Sequence, residues 1–203
     1  VSADVVFRVN DADKYNMSFD LRFRKGHLSP GRFPSDSTAG NLPSGETYIV
    51  PYEGELEAKS KTNGILPVQI EGELVYFTIK ENVAIEAKGD GPIAKKERDH
   101  LKREPAYGNM AELGFGVLGD FGLVPINEIL LDEKLGFHVA FGRSDHFGGA
   151  VAPKDFSKPE AVIHLDQIYI PKTQPDVIVE TLVLIYEDGS REEIIKEGQY
   201  LVF

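Results

Sequence analysis

The chain has 203 residues, 41% of them hydrophobic, a formal net charge of −11 and no cysteine. That length buries a proper core, as one large domain or two small ones sharing an interface, and the lack of thiols removes disulfides and thiolate metal sites. The acidic balance argues against a basic face for nucleic acid or anionic lipid, and no apolar run or signal-peptide pattern points to a membrane. A cytoplasmic protein is expected. The first residue is Val1, so residues 1–203 are read as a single domain that belongs to a longer chain.

In chain order the sequence reads mostly as strands. Apolar residues at strand spacing mark residues 3–9 and 18–23, and residues 25–44 form a polar loop rich in Pro, Gly and Ser, long enough to carry function. Further strands are expected over 64–70, 74–79 and 83–87, with Glu71-Gly72-Glu73 as a hairpin turn. Pro92 suits a first helical position, and the charged residues 93–103 predict a surface helix. A second helix is expected over 126–135, with Pro125 or Asn127 near its start and Gly136 as a left-handed stop. Residues 137–141, 161–170, 177–186 and 192–202 return to strand.

Candidate ligands lie in apolar, glycine-punctuated surroundings. In residues 161–170, His164 and Asp166 interrupt a hydrophobic run two positions apart, so on a strand they share one face. An unpaired buried carboxylate costs several kcal/mol, which a divalent cation or an ion pair removes. Glu46 stands where a turn enters a strand, Glu112 is the only charge in Asn109–Gly116, and Glu133 and His138 straddle Gly136. Singly, each has an ordinary structural reading as an exposed glutamate or a hydrogen-bonded histidine. Together they offer oxygen and imidazole donors that suit Zn, Co, Mn or Fe, and a carboxylate can bridge two cations in a hydrolytic site. Asp145 and His146 could add a ligand, an acid/base or a substrate contact, against the reading of a polar turn closed by Gly148 and Gly149. Arg22, Arg24, Lys25 and His27 form a short basic stretch that could meet a substrate carboxylate, or simply end a strand in solvent.

The segments Gly40–Glu46, Ala111–Gly116, Asp132–Gly142 and Ile163–Asp166, in this order, resemble the metal-binding segments of the aminopeptidase T family of metallo-aminopeptidases. The resemblance implies metal ligation by Glu46, Glu112, Glu133, His138, His164 and Asp166, with Glu112 bridging, and a homodimer that encloses the site. Where the family has a tyrosine seven residues after the first histidine this chain has Asp145, and the family's N-terminal α/β domain is absent from these residues. The same superfamily contains a mononuclear-iron dioxygenase that opens dihydroxypyridine rings, with histidine and serine at the earlier positions.

The reading is therefore an α+β domain, predominantly antiparallel β with a curved or barrel-like sheet and a few peripheral helices. It is expected to be an aminopeptidase-type hydrolase of a peptide or small-molecule substrate with two divalent cations (Zn, Co, Mn or Mg). Glu112, Asp145 and His146 are the candidate catalytic residues. The alternatives are an iron-dependent ring-cleaving dioxygenase and a non-catalytic acidic domain held by salt bridges.

Overall fold

The computed structural model describes residues 1–33 and 42–201. Its elements are β1 (Ser2–Val9), β2 (Asp13–Asp20), β3 (His27–Ser29), β4 (Glu46–Ile49), β5 (Asn63–Ile70), β6 (Glu73–Lys80), β7 (Val83–Lys88), α1 (Pro92–Arg103), β8 (Met110–Gly116), α2 (Ile129–Asp132), β9 (Phe137–Gly142), β10 (His164–Ile168), β11 (Val177–Ile185), β12 (Arg191–Lys196) and β13 (Gln199–Tyr200). Every pairing between these strands is antiparallel.

The strands form two sheets, ordered β13-β12-β11-β1-β2-β5-β6-β7 and β10-β9-β8-β4-β3. Both orders are open at their ends, so the sheets do not close into a barrel, and the barrel-like expectation is corrected to two packed open sheets. Alternation explains the stacking. Along β1 the side chains of Ala3, Val5, Phe7 and Val9 are buried while those between are half-exposed, which gives the larger sheet one apolar face. Phe137 and Phe141 of β9 meet that face, with ring centroids 6.2 Å from Phe7 and 5.0 Å from Phe77 respectively. Each such fully buried ring contributes about 1.5–3 kcal/mol relative to exposure. The core thus lies between the sheets, and the other face of the smaller sheet is left for chemistry.

The hairpin at Glu71-Gly72 forms with both residues at positive φ, matching the right-handed twist of β5 and β6. Helix α1 begins at Pro92, and the Glu73 carboxylate accepts the backbone N–H groups of Ile93 and Ala94 at 3.1 and 2.9 Å, capping the helix from a neighbouring strand. The helix is not wholly superficial. Ala94 and Glu97 are buried, and Glu97 accepts the Tyr107 hydroxyl at 2.5 Å.

Several boundaries differ from expectation. β2 starts at Asp13 rather than residue 18, held by full pairing with β1. The loop over 25–44 contains the short strand β3, while residues 34–41 of that loop and residue 202 lie outside the described residues. The second helix is only Ile129–Asp132 followed by a 3-10 turn, Glu133–Leu135. Asp132 accepts the N–H groups of Ile126 and Asn127 at 2.8 and 2.9 Å, and Asn127 has a φ of 69°, so the chain turns where a helix was expected. Gly136 has a φ of −169°, ordinary extended backbone leading into β9 rather than a left-handed stop. Strand β8 was not anticipated, because its two-sided burial removes alternation.

Candidate metal centre

Because Phe137, Val139 and Phe141 face the core, His138 and Ala140 face the opposite way. Residues directly opposite each other on paired strands share a face. Glu112 lies opposite Ala140 and Gly114 opposite His138. Asp166 lies opposite Ala140, His164 opposite Gly142, Tyr48 opposite Gly114 and Glu46 opposite Gly116. One face of the smaller sheet therefore carries five of the expected ligands. The sixth, Glu133, comes from the 3-10 turn that enters β9.

Two local features place these groups. The register shifts between Met110 and Glu112, so Met110 remains in the core opposite Phe141 while Glu112 points to the site. Without that bulge the two would share a face. Gly114 provides space, since a Cβ there would lie 2.0 Å from His138 Nε2.

The side chains converge tightly. His138 Nε2 is 3.4 Å from Glu112 Oε1 and 3.8 Å from Glu46 Oε2, and His164 Nε2 is 3.1 Å from Glu112 Oε2 and 3.7 Å from Asp166 Oδ1. Each imidazole places Nδ1 against a backbone carbonyl, Gly136 at 3.1 Å and Arg143 at 2.7 Å. Those carbonyls require Nδ1–H, which directs both Nε2 atoms at the carboxylate. In a neutral ring Nε2 would then set a lone pair against a carboxylate oxygen. A proton on each ring, or a cation between ring and carboxylate, resolves the clash.

Electrostatics of the metal-free site follow. Burial acts to raise the Glu112 pKa, but hydrogen bonds from His138 and His164 outweigh it and hold the carboxyl at about 2. Burial acts to lower both histidines, yet the neighbouring carboxylates, Glu112 for His138 and Asp166 followed by Glu112 for His164, raise His138 to about 9 and His164 to about 10. Burial and the Asp166 charge push Glu133 up, against the pull of Lys134. The Lys134 ammonium is buried between carboxylates, 2.5 Å from Glu46 Oε1 and in contact with Glu133 Oε1.

The donor set fits a divalent cation. Three groups, Glu46/Glu112/His138, Glu112/His164/Asp166 and Glu133/His138/Asp166, each offer donor atoms within 4.8 Å of one another. Two of the oxygens, Glu46 Oε2 and Asp166 Oδ1, are buried without a hydrogen-bond partner among the described residues. Burying such atoms unpaired is costly, and a cation supplies the missing partner. The first two groups share Glu112.

Above this floor is a cavity of about 700 Å³, with Leu28, Phe33, Ile129 and Leu130 among its apolar walls and Tyr48, His146 and Phe147 beside the donors. His146 lies with its ring centroid 5.1 Å from His164, and burial together with the His164 charge lowers its pKa. Asp145 does not line the cavity; it pairs with Arg143 at 2.5 Å and lies 3.8 Å from His146 Nδ1. Three residues of the basic stretch are internally engaged: Arg22 pairs with Asp20, Arg24 with Glu53 and Glu55, and His27 stacks on Tyr48. Sequence reasoning overlooked Tyr48 and Lys134. For Tyr48 a signal existed, because it stands two residues from Glu46 and so shares its strand face.

No protein-family model matches the sequence, and a search of curated proteins finds no match. Solved structures do match. Wild-type AmpT from Thermus thermophilus aligns with 98% of this chain and 50% of its own, at 16% identity and a TM-score of 0.58. The 2,5-dihydroxypyridine dioxygenase from Pseudomonas putida KT2440 aligns with 99% of this chain and 55% of its own, at 15% identity and a TM-score of 0.62. The chain spans about half the length of each, and at these identities what it shares with an aminopeptidase T and with a dioxygenase is a fold.

Proposed function

We propose that this chain is the metal-dependent catalytic part of an aminopeptidase-type hydrolase. The observation that carries the reading is the pair of donor groups sharing Glu112, with Glu46 Oε2 and Asp166 Oδ1 buried and unpartnered beside them. Shared ligation of that kind suits two divalent cations: Glu112, His138 and Glu46 would hold one, and Glu112, His164 and Asp166 would hold the other. When bound, such cations supply Lewis acidity that polarises a carbonyl and acidifies a water.

The chain's own groups account for the remaining needs. Backbone carbonyls of Gly136 and Arg143 orient the two ligating imidazoles. His146, held neutral at neutral pH by its lowered pKa, accepts a proton in the cavity, and Asp145, fixed by Arg143, positions its ring. The Tyr48 hydroxyl has no hydrogen bond among the described residues and faces the same cavity, available to donate to developing charge on a substrate oxygen. Leu28, Phe33, Ile129 and Leu130 suit an apolar substrate side chain. Exposed Val124 and Ile126 suit a homodimer interface, and among the described residues no helix is long and apolar enough to cross a membrane.

An iron-dependent ring-cleaving dioxygenase is the second reading, favoured by Glu112 standing between two imidazoles as a two-histidine, one-carboxylate set. One iron held by His138, His164 and Glu112 leaves Glu46 Oε2 and Asp166 Oδ1 without a hydrogen-bond partner among the described residues, which favours the hydrolase. Metal analysis of protein purified without added metal, followed by hydrolysis of amino-acid p-nitroanilides with and without Co²⁺ or Zn²⁺, tests the proposal. Oxygen uptake with a dihydroxylated aromatic substrate would favour the dioxygenase. Failure to bind any cation would leave a non-catalytic acidic domain.

A further inference from the structure

The Lys134 side chain is only 3% exposed, yet its ammonium sits among the candidate ligands, 2.5 Å from Glu46 Oε1 and in contact with Glu133 Oε1. Glu46 is thereby divided. One oxygen holds the ammonium; the other, Oε2, has no hydrogen-bond partner among the described residues, and Glu46 belongs to the donor group with Glu112 and His138. Among the described residues no lysine pairs with the group Glu112/His164/Asp166, and its Asp166 Oδ1 has no hydrogen-bond partner there.

We propose that Lys134 is an internal counter-cation that makes the two cation positions unequal. A first divalent cation binds tightly at Glu112, His164 and Asp166, and a second enters at Glu46, Glu112 and His138 only by displacing the ammonium from Glu46. The inference rests on the metal-centre reading above. Its physical basis is charge. Glu46, Glu112, Glu133 and Asp166 carry four negative charges when ionised. One divalent cation plus the ammonium leaves one negative charge over. Two divalent cations plus the ammonium leave an excess positive charge in a buried site, where like charges repel strongly. The lysine therefore competes with the second cation and not with the first.

Calorimetric titration of the metal-stripped 203-residue chain with Co²⁺, with bound metal counted by elemental analysis, tests this. Wild-type protein is expected to bind in two steps separated by at least about tenfold in affinity, and Lys134→Met, similar in length but uncharged, should tighten the second step by about tenfold or more while leaving the first nearly unchanged. Lys134→Arg should behave as wild type. Amine-reactive labelling of wild-type protein adds a readout that needs no variant: Lys134 should stay protected with no cation or one and become reactive with two. Equal affinities in wild type, an unchanged second step in Lys134→Met, or Lys134 labelling that ignores the second equivalent overturns the role of Lys134 while leaving the metal centre standing. No cation bound by any form overturns both.

Discussion

His164 Nε2 lies 3.1 Å from Glu112 Oε2, although the two residues belong to strands that are not neighbours, β10 and β8, with β9 between them. The contact spans the middle strand because Ala140 there is opposite both Glu112 and Asp166, and its small side chain leaves the space open. Glu112 also meets His138, so one carboxylate joins both imidazoles.

Replacing Glu112 should therefore uncouple the site. Glu112→Ala is expected to lose at least one cation and to weaken the other beyond the roughly 10–100-fold typical of outer-shell partners. Metal content after dialysis measures it; full two-cation occupancy in the variant would sink the bridging assignment.

Stability of the metal-free protein should depend on pH in a defined sense. His138 and His164 have folded pKa values of about 9 and 10, above the ordinary 6.5, so their contribution is complete below about pH 6.5 and disappears as pH rises through 9–10. Glu112, at about 2 against an ordinary 4.5, contributes above 4.5 and ceases to do so as pH falls towards 2. Melting curves with a chelator present should thus show loss of stability above pH 9. In His164→Gln that alkaline loss should shrink, and an unchanged profile would contradict the arrangement. At neutral pH cation binding should also release protons, which calorimetry in buffers of different ionisation enthalpy detects.

Gly114 tests the packing around the metal donors. A Cβ at this position would meet His138 Nε2 at 2.0 Å. Gly114→Ala is expected to displace the imidazole, with a stability cost of about 1–3 kcal/mol and weakened cation binding. Wild-type metal affinity in this variant would show that His138 is not a ligand.

Tyr48 is held by a stacked His27 ring at 5.1 Å and by Phe147 at 4.7 Å, contacts that a phenylalanine ring preserves. Tyr48→Phe should keep both cations and lower kcat by about 10–100-fold with KM little changed, because only a donor to developing charge is removed. A rise in KM with kcat intact would mark Tyr48 as a substrate-binding wall instead.

Asp145 and His146 should separate in the same assay. Asp145 forms a partly exposed pair with Arg143, a class of contact worth about 0–1 kcal/mol, so Asp145→Asn should cost little stability and at most about tenfold in rate. His146→Ala should cost about 100-fold or more if the ring moves a proton. Equal, small effects of both would exclude His146 from the chemistry.

Much of the site was legible in the chain. His164 and Asp166 are two apart on a strand, and that spacing alone puts them on one face. The start of α1 at Pro92 and the hairpin at Glu71-Gly72 follow from local backbone preferences, which is why both stand where expected. Strand β8 was missed because burial on both faces erases alternation, and α2 was overestimated because Asn127 takes a φ of 69°, which a right-handed helix cannot contain.

The sequence by itself determined which donors this protein can offer: carboxylates and imidazoles without thiols, set singly among apolar residues where isolated charge is costly. Only tertiary structure decided that they meet. Local preference cannot encode the β4-β8-β9-β10 order, the bulge that turns Glu112 away from the core, or the approach of Lys134 to Glu46, a residue 88 positions earlier. These depend on non-local pairing and on the packing of one sheet face against another, so the same residues become a centre only when the core behind them is built.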